Sequence, residues 1–355
     1  MTSKERIDQA FRHGRPDRTP CFEYCLNSEA ITALALGRPC AYLNWDDCVR
    51  EKGWEGAVRQ TVVDRLDIAA FFGHDMLYVT QNPTPPAPCP ASSAPAAELD
   101  DPVEKVARRN QARRAADGAL DERSFLVYKL LREEMARRGD KLPVLAPAYC
   151  HGVWTDVDLM QTMALEPEVA HEHFALATLQ AERLADHYLG LGVEMVGIGG
   201  DFAGNRPLIS PECYREFIVP ELRKLSERLH RGGAYAVNAS DGNLWGVIDA
   251  FLVESGVDGY LEIDLHAGMD LRKLKQAYGS RTTFLGNMDC GNTLSFAAPE
   301  AVARATRECL EAGMGGGGHI FTASNAITAS VPPENYLAMA NAYRDYFGMP
   351  PLRFG

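Results

Sequence analysis

The side chains able to do chemistry in this chain collect just downstream of short apolar runs. In "YAVNASDGNLW" the apolar residues give way to Asn238, Ser240, Asp241 and Asn243, and "GYLEIDLH" ends in Glu262, Asp264 and His266. Other runs end in Glu23 and Tyr24, in Thr80 and Gln81, and in Tyr149 and His151. Asp201 follows "GIGG", Asn287 and Asp289 follow "TTFLG", and Ser324 and Asn325 follow "HIFTA". Carboxylates and amides dominate this set, and Arg206 is its main cation. Such a composition suits proton transfer, a bound metal, or a polar neutral or cationic substrate. Asp241, Glu262 and Asp289 are the candidate catalytic carboxylates. Tyr149, His151, Asp201, Arg206, Asn238, Asn243, His266, Asn287, Ser324 and Asn325 are candidate substrate contacts. A metal, if held, would fall to Asp241 with Glu262 or Asp289. Each residue has a plainer role open to it: an Asp or Asn after a strand often caps the next helix, and a loop histidine is often only solvated.

The elements that must position these residues alternate. The apolar runs at 19–25, 75–79, 143–149, 194–200, 234–239, 259–263, 282–288 and 319–324 are short and bounded by Gly, Pro or polar residues, as strands buried on both faces should be. Helical patterns lie between them, such as "PEVAHEHFALATLQAERLADHYLGLG" and "PEAVARATRECLEAG", each closed by glycine. This alternation predicts an α/β fold, a (β/α)8 barrel with its site at the C-terminal strand ends. An open doubly wound sheet is the rival, and the missing G-x-G-x-x-G after the first run weakens it. A barrel needs ~250 residues; the surplus sits in a helical N-terminal extension and in residues 81–140. The latter begin with a Pro- and Ala-rich stretch, and they are predicted to form an insertion or lid on one barrel domain spanning 1–355. "MGGGGHIF" looks like a phosphate-cradling loop but precedes its strand, so a tight helix-to-strand turn is expected there.

Composition narrows the partners. A net charge of −12 disfavours nucleic acid and anionic membranes, and no apolar run approaches the ~18 residues of a membrane span. Nine cysteines without a C-x-x-C pair suit a reducing cytoplasm better than a disulfide framework.

Several segments together resemble the uroporphyrinogen decarboxylase superfamily, which includes decarboxylases and corrinoid- and coenzyme M-linked methyltransferases. They are "KERIDQAFRHGRPDRTP", "GDFAGNRPLISPECYREFIVPELRKL", "NASDGNLWGVID", "SGVDGYLEIDLHAGMDLRKLKQAYG", "FLGNMD" and "SVPPENYLAMANAY", in family order. The resemblance implies a (β/α)8 barrel. It also exposes departures. Where the decarboxylases carry an Arg-rich motif, this chain has "FEYCLNSEA"; their pyrrole-binding Asp has no counterpart at Thr80–Gln81; and the His of their late "GHGI" motif is Asn325. Where the zinc methyltransferases carry H-x-C, this chain has Ala239-Ser240-Asp241, and their late Cys falls near Ser324 or Asn325. The resemblance therefore implies a divergent member. The first expectation is transfer of a methyl group from a small methylated substrate to a corrinoid (cobalamin) brought by a partner protein, with zinc and a homodimer left open. The alternatives are decarboxylation of a small acid or a tetrapyrrole, and a non-catalytic barrel that binds a ligand.

Overall fold

The computed structural model describes residues 1–85, 100–116, 118–313 and 317–352. Seven parallel strands stand in sequence order: β1 (Leu77–Tyr78), β2 (Val144–Pro147), β3 (Met195–Gly199), β4 (Tyr235–Ala239), β5 (Gly259–Leu261), β6 (Thr283–Leu285) and β7 (His319–Ile320). The run at 19–25 supplies the eighth position without a full strand. Cys21 pairs with Phe321 in parallel fashion, Phe22 N–H donates to the Phe321 carbonyl at 3.1 Å, and Asp75 N–H donates to the Cys21 carbonyl at 2.7 Å. The segment thus bridges β7 to β1 and closes the (β/α)8 barrel; the eight predicted runs occupy its eight staves.

Side-chain alternation sets what the barrel holds. Phe22, Tyr78, Leu145, Met195, Val237, Leu261, Leu285 and Ile320 form one buried cluster, the barrel interior. Their neighbours Val144, Val196, Ala236, Tyr260 and Phe284 belong to a second, larger cluster shared with the surrounding helices. Two apolar faces per strand explain why the runs are continuous rather than alternating.

The N-terminal helix Ser3–Phe11 starts on a capping box, with Thr2 and Glu5 exchanging side-chain and backbone hydrogen bonds. Its apolar side, Ile7, Ala10 and Phe11, enters the interior cluster from the base. The Phe11 ring stacks on Tyr235 at 4.2 Å, and Thr283 Oγ1 and Gly318 N–H both donate to the Ala10 carbonyl. The base is therefore stoppered.

Residues 81–140 divide into parts with different roles. Helix Leu126–Arg138 packs its buried face, Tyr128, Leu131 and Met135 among others, as the ring helix between β1 and β2. Helix Pro102–Ala115 is laid over helices Val157–Leu165 and Pro167–Gly190, held by Arg109 to Asp156 at 2.7 Å and Lys105 to Asp158 at 3.2 Å. Most of the Pro- and Ala-rich stretch (86–99) and the centre of the glycine run (314–316) lie outside the described residues. Among the described residues no helix is long and apolar enough to cross a membrane.

Candidate active site

At the open, C-terminal end of the barrel, Asp201, Asp241 and Glu262 converge. One carboxylate oxygen from each lies within 4.8 Å of the other two. Asp201 comes from the loop after β3, Asp241 from the turn after β4, and Glu262 from the end of β5.

The backbone that presents them is specialised. Leu261 faces the interior, so regular alternation would send Glu262 out toward the helices. Instead Glu262 has φ 92° and Ile263 φ 39°, and this left-handed pair turns the Glu262 carboxylate back into the mouth. Asn287 Nδ2 donates to the Ile263 carbonyl at 3.3 Å and holds that turn. After β4, Gly242 has φ 91°, and a Cβ there would come within 2.6 Å of the Ala203–Gly204 backbone. The "SDGN" turn is therefore pressed against the loop that carries Asp201. Asp241 N–H donates to Asp201 Oδ1 at 3.0 Å, and Asn325 Nδ2 donates to Asp241 Oδ2 at 2.7 Å.

The electrostatics follow from this crowding. Burial, reinforced by the like charge of Asp201 and opposed by the Asn325 hydrogen bond, pushes the Asp241 carboxyl up to about 6. Glu262 is driven well above the usual carboxylate range by burial first, then by Asp241 and Asp201. The Tyr24 hydroxyl donates to Glu262 Oε1 at 2.8 Å, which offsets only part of that shift. Of the two, Glu262 is thus the carboxyl whose surroundings most favour the protonated form, and Asp241 ionises more readily beside it.

A cavity of about 490 Å³ opens over these groups, walled by Tyr24, Tyr78 and Tyr149 and floored by Gly199 and Gly200. A Cβ on Gly197 would come within 2.4 Å of the Tyr149 hydroxyl, so the glycine makes room for that ring inside the barrel. The Tyr149 hydroxyl is buried with no hydrogen-bond partner among the described residues.

The other sequence-predicted residues are placed differently. His151 is fully buried in the outer layer, its Nε2 2.9 Å from Thr178 Oγ1, and burial pushes its pKa down to about 4; it is a core histidine and not a mouth residue. Asn238 lies one residue off the inward register, between Val237 and Ala239, and donates outward to the Phe251 carbonyl at 3.2 Å. Asn287 likewise acts on the backbone behind the site rather than in the cavity. Asp289 is separate from the carboxylate group: it accepts from Asn292 N–H, Thr293 N–H and Thr293 Oγ1, and pairs with His266 at 2.9 Å. It accepts the leading N–H groups of the short helix Thr293–Phe296, whose N-cap position is Asn292, and His266 is its exposed neighbour. Asn243 ties its loop to the Ala267 carbonyl at 2.8 Å, Ser324 is buried against Cys290, and Arg206 is exposed on the loop after β3. Of the carboxylates expected to hold a metal if one is bound, Asp241 and Glu262 stand together with Asp201, and Asp289 stands apart.

Zinc as the resembling methyltransferases build it needs histidine nitrogen and cysteine sulfur. The three convergent groups offer only carboxylate oxygen, a donor set for harder cations. Cys25 and Cys150 line the same cavity, but neither belongs to the convergent group, and no histidine nitrogen joins it among the described residues. That zinc site does not fit these residues.

Two features escaped the sequence reading. Tyr78 lies inside a strand with no polar signature, yet its ring walls the cavity. Arg65 sits in the middle of helix Trp45–Phe72, far in sequence from any strand end, but lines a side chamber that adjoins the mouth.

A sequence profile of the family described as "Uroporphyrinogen decarboxylase (URO-D)" matches residues 148–346, and the chain belongs to that family. Over 226 residues it is 26% identical to the uroporphyrinogen decarboxylase of Geobacter metallireducens, which covers 60% of this chain and 62% of that protein. Over 160 residues it is 30% identical to the one from Pseudomonas savastanoi pv. phaseolicola, which covers 43% of this chain and 42% of that one. The chain thus matches less than two thirds of the length of these curated relatives. In structure it is similar to a methyltransferase from Methanosarcina mazei, with a TM-score of 0.69 and 16% identity over 98% of this chain and 99% of that one. At that identity the likeness is one of fold.

Proposed function

We propose that this barrel removes a methyl group from a heteroatom of a small substrate and passes it to a corrinoid held by a separate carrier protein. The observation that carries the reading is the convergence of Glu262 with Asp241 and Asp201 at the mouth, where burial and like charge favour the protonated form of Glu262. The corrinoid would supply a nucleophilic cobalt centre. This chain's residues would do the rest. As the bond from methyl carbon to oxygen or nitrogen breaks, its electron pair stays on the heteroatom, and Glu262 delivers its proton there. Asp241, fixed by Asn325, stays ionised and favours the build-up of positive charge on the transferring carbon. Tyr24 steadies Glu262 before and after transfer.

The rim supports a docked partner. Trp154, Leu208 and Leu265, on the loops after β2, β3 and β5, are 50%, 44% and 47% exposed, large apolar side chains of the kind that protein interfaces cover. A cationic cradle for a multiply acidic tetrapyrrole is not found at the carboxylate cluster among the described residues, which weighs against haem precursors as substrate.

The test is a screen of small O- and N-methylated compounds for methyl transfer to cob(I)alamin, run beside uroporphyrinogen. Methyl transfer that disappears in Glu262→Gln supports the reading. Conversion of uroporphyrinogen at ~1 s⁻¹ or faster, an ordinary enzymic rate, would overturn it in favour of decarboxylation.

A further inference from the structure

A side chamber of about 340 Å³ adjoins the mouth and shares Tyr24, Cys25, Tyr78 and Thr80 with it as a common wall. Its chemistry is unlike that of the mouth. Arg65 is the only charged residue that lines it among the described residues, and the flat side chains of Tyr42, Trp45, Tyr24 and Tyr78 make much of its wall.

Arg65 is held but not satisfied. Its guanidinium lies over the Tyr42 ring at 4.6 Å, and Nη1 donates to the Tyr78 carbonyl at 3.0 Å. Its Nε is buried with no acceptor among the described residues. One helical turn before it, Thr61 is 5% exposed, lines the same chamber, and has a buried hydroxyl that also lacks a partner. Residues four apart on a helix share a face. Two polar groups on one face, the Arg65 Nε–H and the Thr61 hydroxyl, therefore lack a partner at the wall of an aromatic chamber. Buried polar groups left unmade are costly, and a planar guanidinium matches a carboxylate.

We propose that Thr61 and Arg65 bind the carboxylate of a flat, monoanionic substrate, an aromatic acid, whose methyl-bearing end is directed past the shared wall toward Glu262. This rests on the reading of the mouth as the reactive end. One cation accommodates one anionic group, and a second carboxylate would be forced toward Asp201 and Asp241, so the arrangement selects against diacids. Arg65 and Thr61 act here in binding and specificity.

The experiment is calorimetric titration of the full chain with 4-methoxybenzoate and with 4-methoxybenzamide, equal in shape but different in charge. The acid is expected to bind at least ~10-fold tighter than the amide, as loss of one charge-assisted contact implies. Arg65→Met should abolish that preference. Because Arg65 also braces Tyr78 and that variant could unfold, Thr61→Val provides a second arm, with an expected three- to tenfold loss (roughly, for one hydrogen bond) for the acid and little change for the amide. Equal binding of acid and amide, binding of neither, or a preference that survives in both folded variants would overturn the proposal. Methyl transfer is not read in these titrations. A kept acid preference without turnover would therefore sink the demethylation reading and leave the chamber assignment standing.

Discussion

Two buried acidic centres mark opposite ends of the same barrel. At the base, Asp75 is fully buried and fully neutralised: Arg18 reaches it at 2.6 Å, Arg6 at 3.1 Å, and Ser3 Oγ and Cys21 N–H at 3.0 Å. At the mouth, Glu262 has a tyrosine hydroxyl on one side and two carboxylates on the other. Both arrangements bury negative charge, but only the first pairs it with cations. A paired carboxylate organises the chain around itself; here it knots the N-terminal helix, the closing segment and the start of β1 together. A carboxylate buried among like charges destabilises the fold and in return holds a proton at a pH where an ordinary carboxyl has lost it.

The contrast can be broken at the base first. Asp75→Ala leaves Arg18, whose side chain is only 12% exposed, without its partner. Removing one member of a buried pair costs about 3–5 kcal/mol, so chemical denaturation should show a loss of that order. At the mouth the signs reverse. Glu262→Gln should cost at least ~10²-fold in turnover of whichever substrate the screen identifies, while the melting temperature stays level or rises. A large drop in stability with turnover intact would make Glu262 structural.

A smaller effect lies in the pH dependence of stability. The folded-state pKa of Asp241, about 6, lies above its ordinary value of 3.8. Between about pH 4 and about 6 the folded protein therefore keeps a proton that the unfolded chain has released, so this group's contribution to stability declines as pH rises through that window and is fully lost above it. Asp241→Asn should flatten that part of the profile. Asp201→Asn, by removing a like charge, should move its upper edge to lower pH. Denaturant midpoints taken across the window would show both, and unchanged profiles in both variants would break the coupling. The smallest effect is expected at Asp289. As an acceptor for the leading N–H groups of a short helix, its change to Asn should cost about 1 kcal/mol or less and leave turnover within a few-fold; a larger loss of turnover would return Asp289 to the reactive group.

The barrel was legible because its evidence is repeated: eight apolar runs, each buried on two faces, leave the same mark whichever side chains carry the chemistry. The region of the site was legible too, since strand ends in a barrel share one rim. The direction of each side chain was not. Asn238 and Ala239 are adjacent, and only the register with β3 and β5 decides which faces inward. Glu262 reaches the mouth because two residues adopt left-handed φ, a conformation that Glu and Ile do not advertise. His151 looked like a rim residue, yet the chain turns it behind the strand, where Thr178 and Phe174 enclose it. Arg65 was invisible for another reason: an arginine inside a long helical segment is usually a solvated surface charge, and only the tertiary placement of that segment, which kinks at Gly53, brings it to the cavity.

The stopper formed by Ser3–Phe11 has a kinetic consequence. With Phe11 packed on Tyr235 and the Ala10 carbonyl bonded from both β6 and the loop before β7, the base is shut among the described residues and the mouth is left as the doorway. In the proposed methyl transfer, a small molecule bound for Glu262 and a carrier seated on Trp154 and Leu265 would share it. Under that proposal topology would dictate the order of addition: the small reactant would enter before the large one covers the opening, and its remnant would leave only after the large one departs. Such a scheme gives intersecting, not parallel, double-reciprocal lines, and an excess of the macromolecule inhibits by occupying the empty doorway.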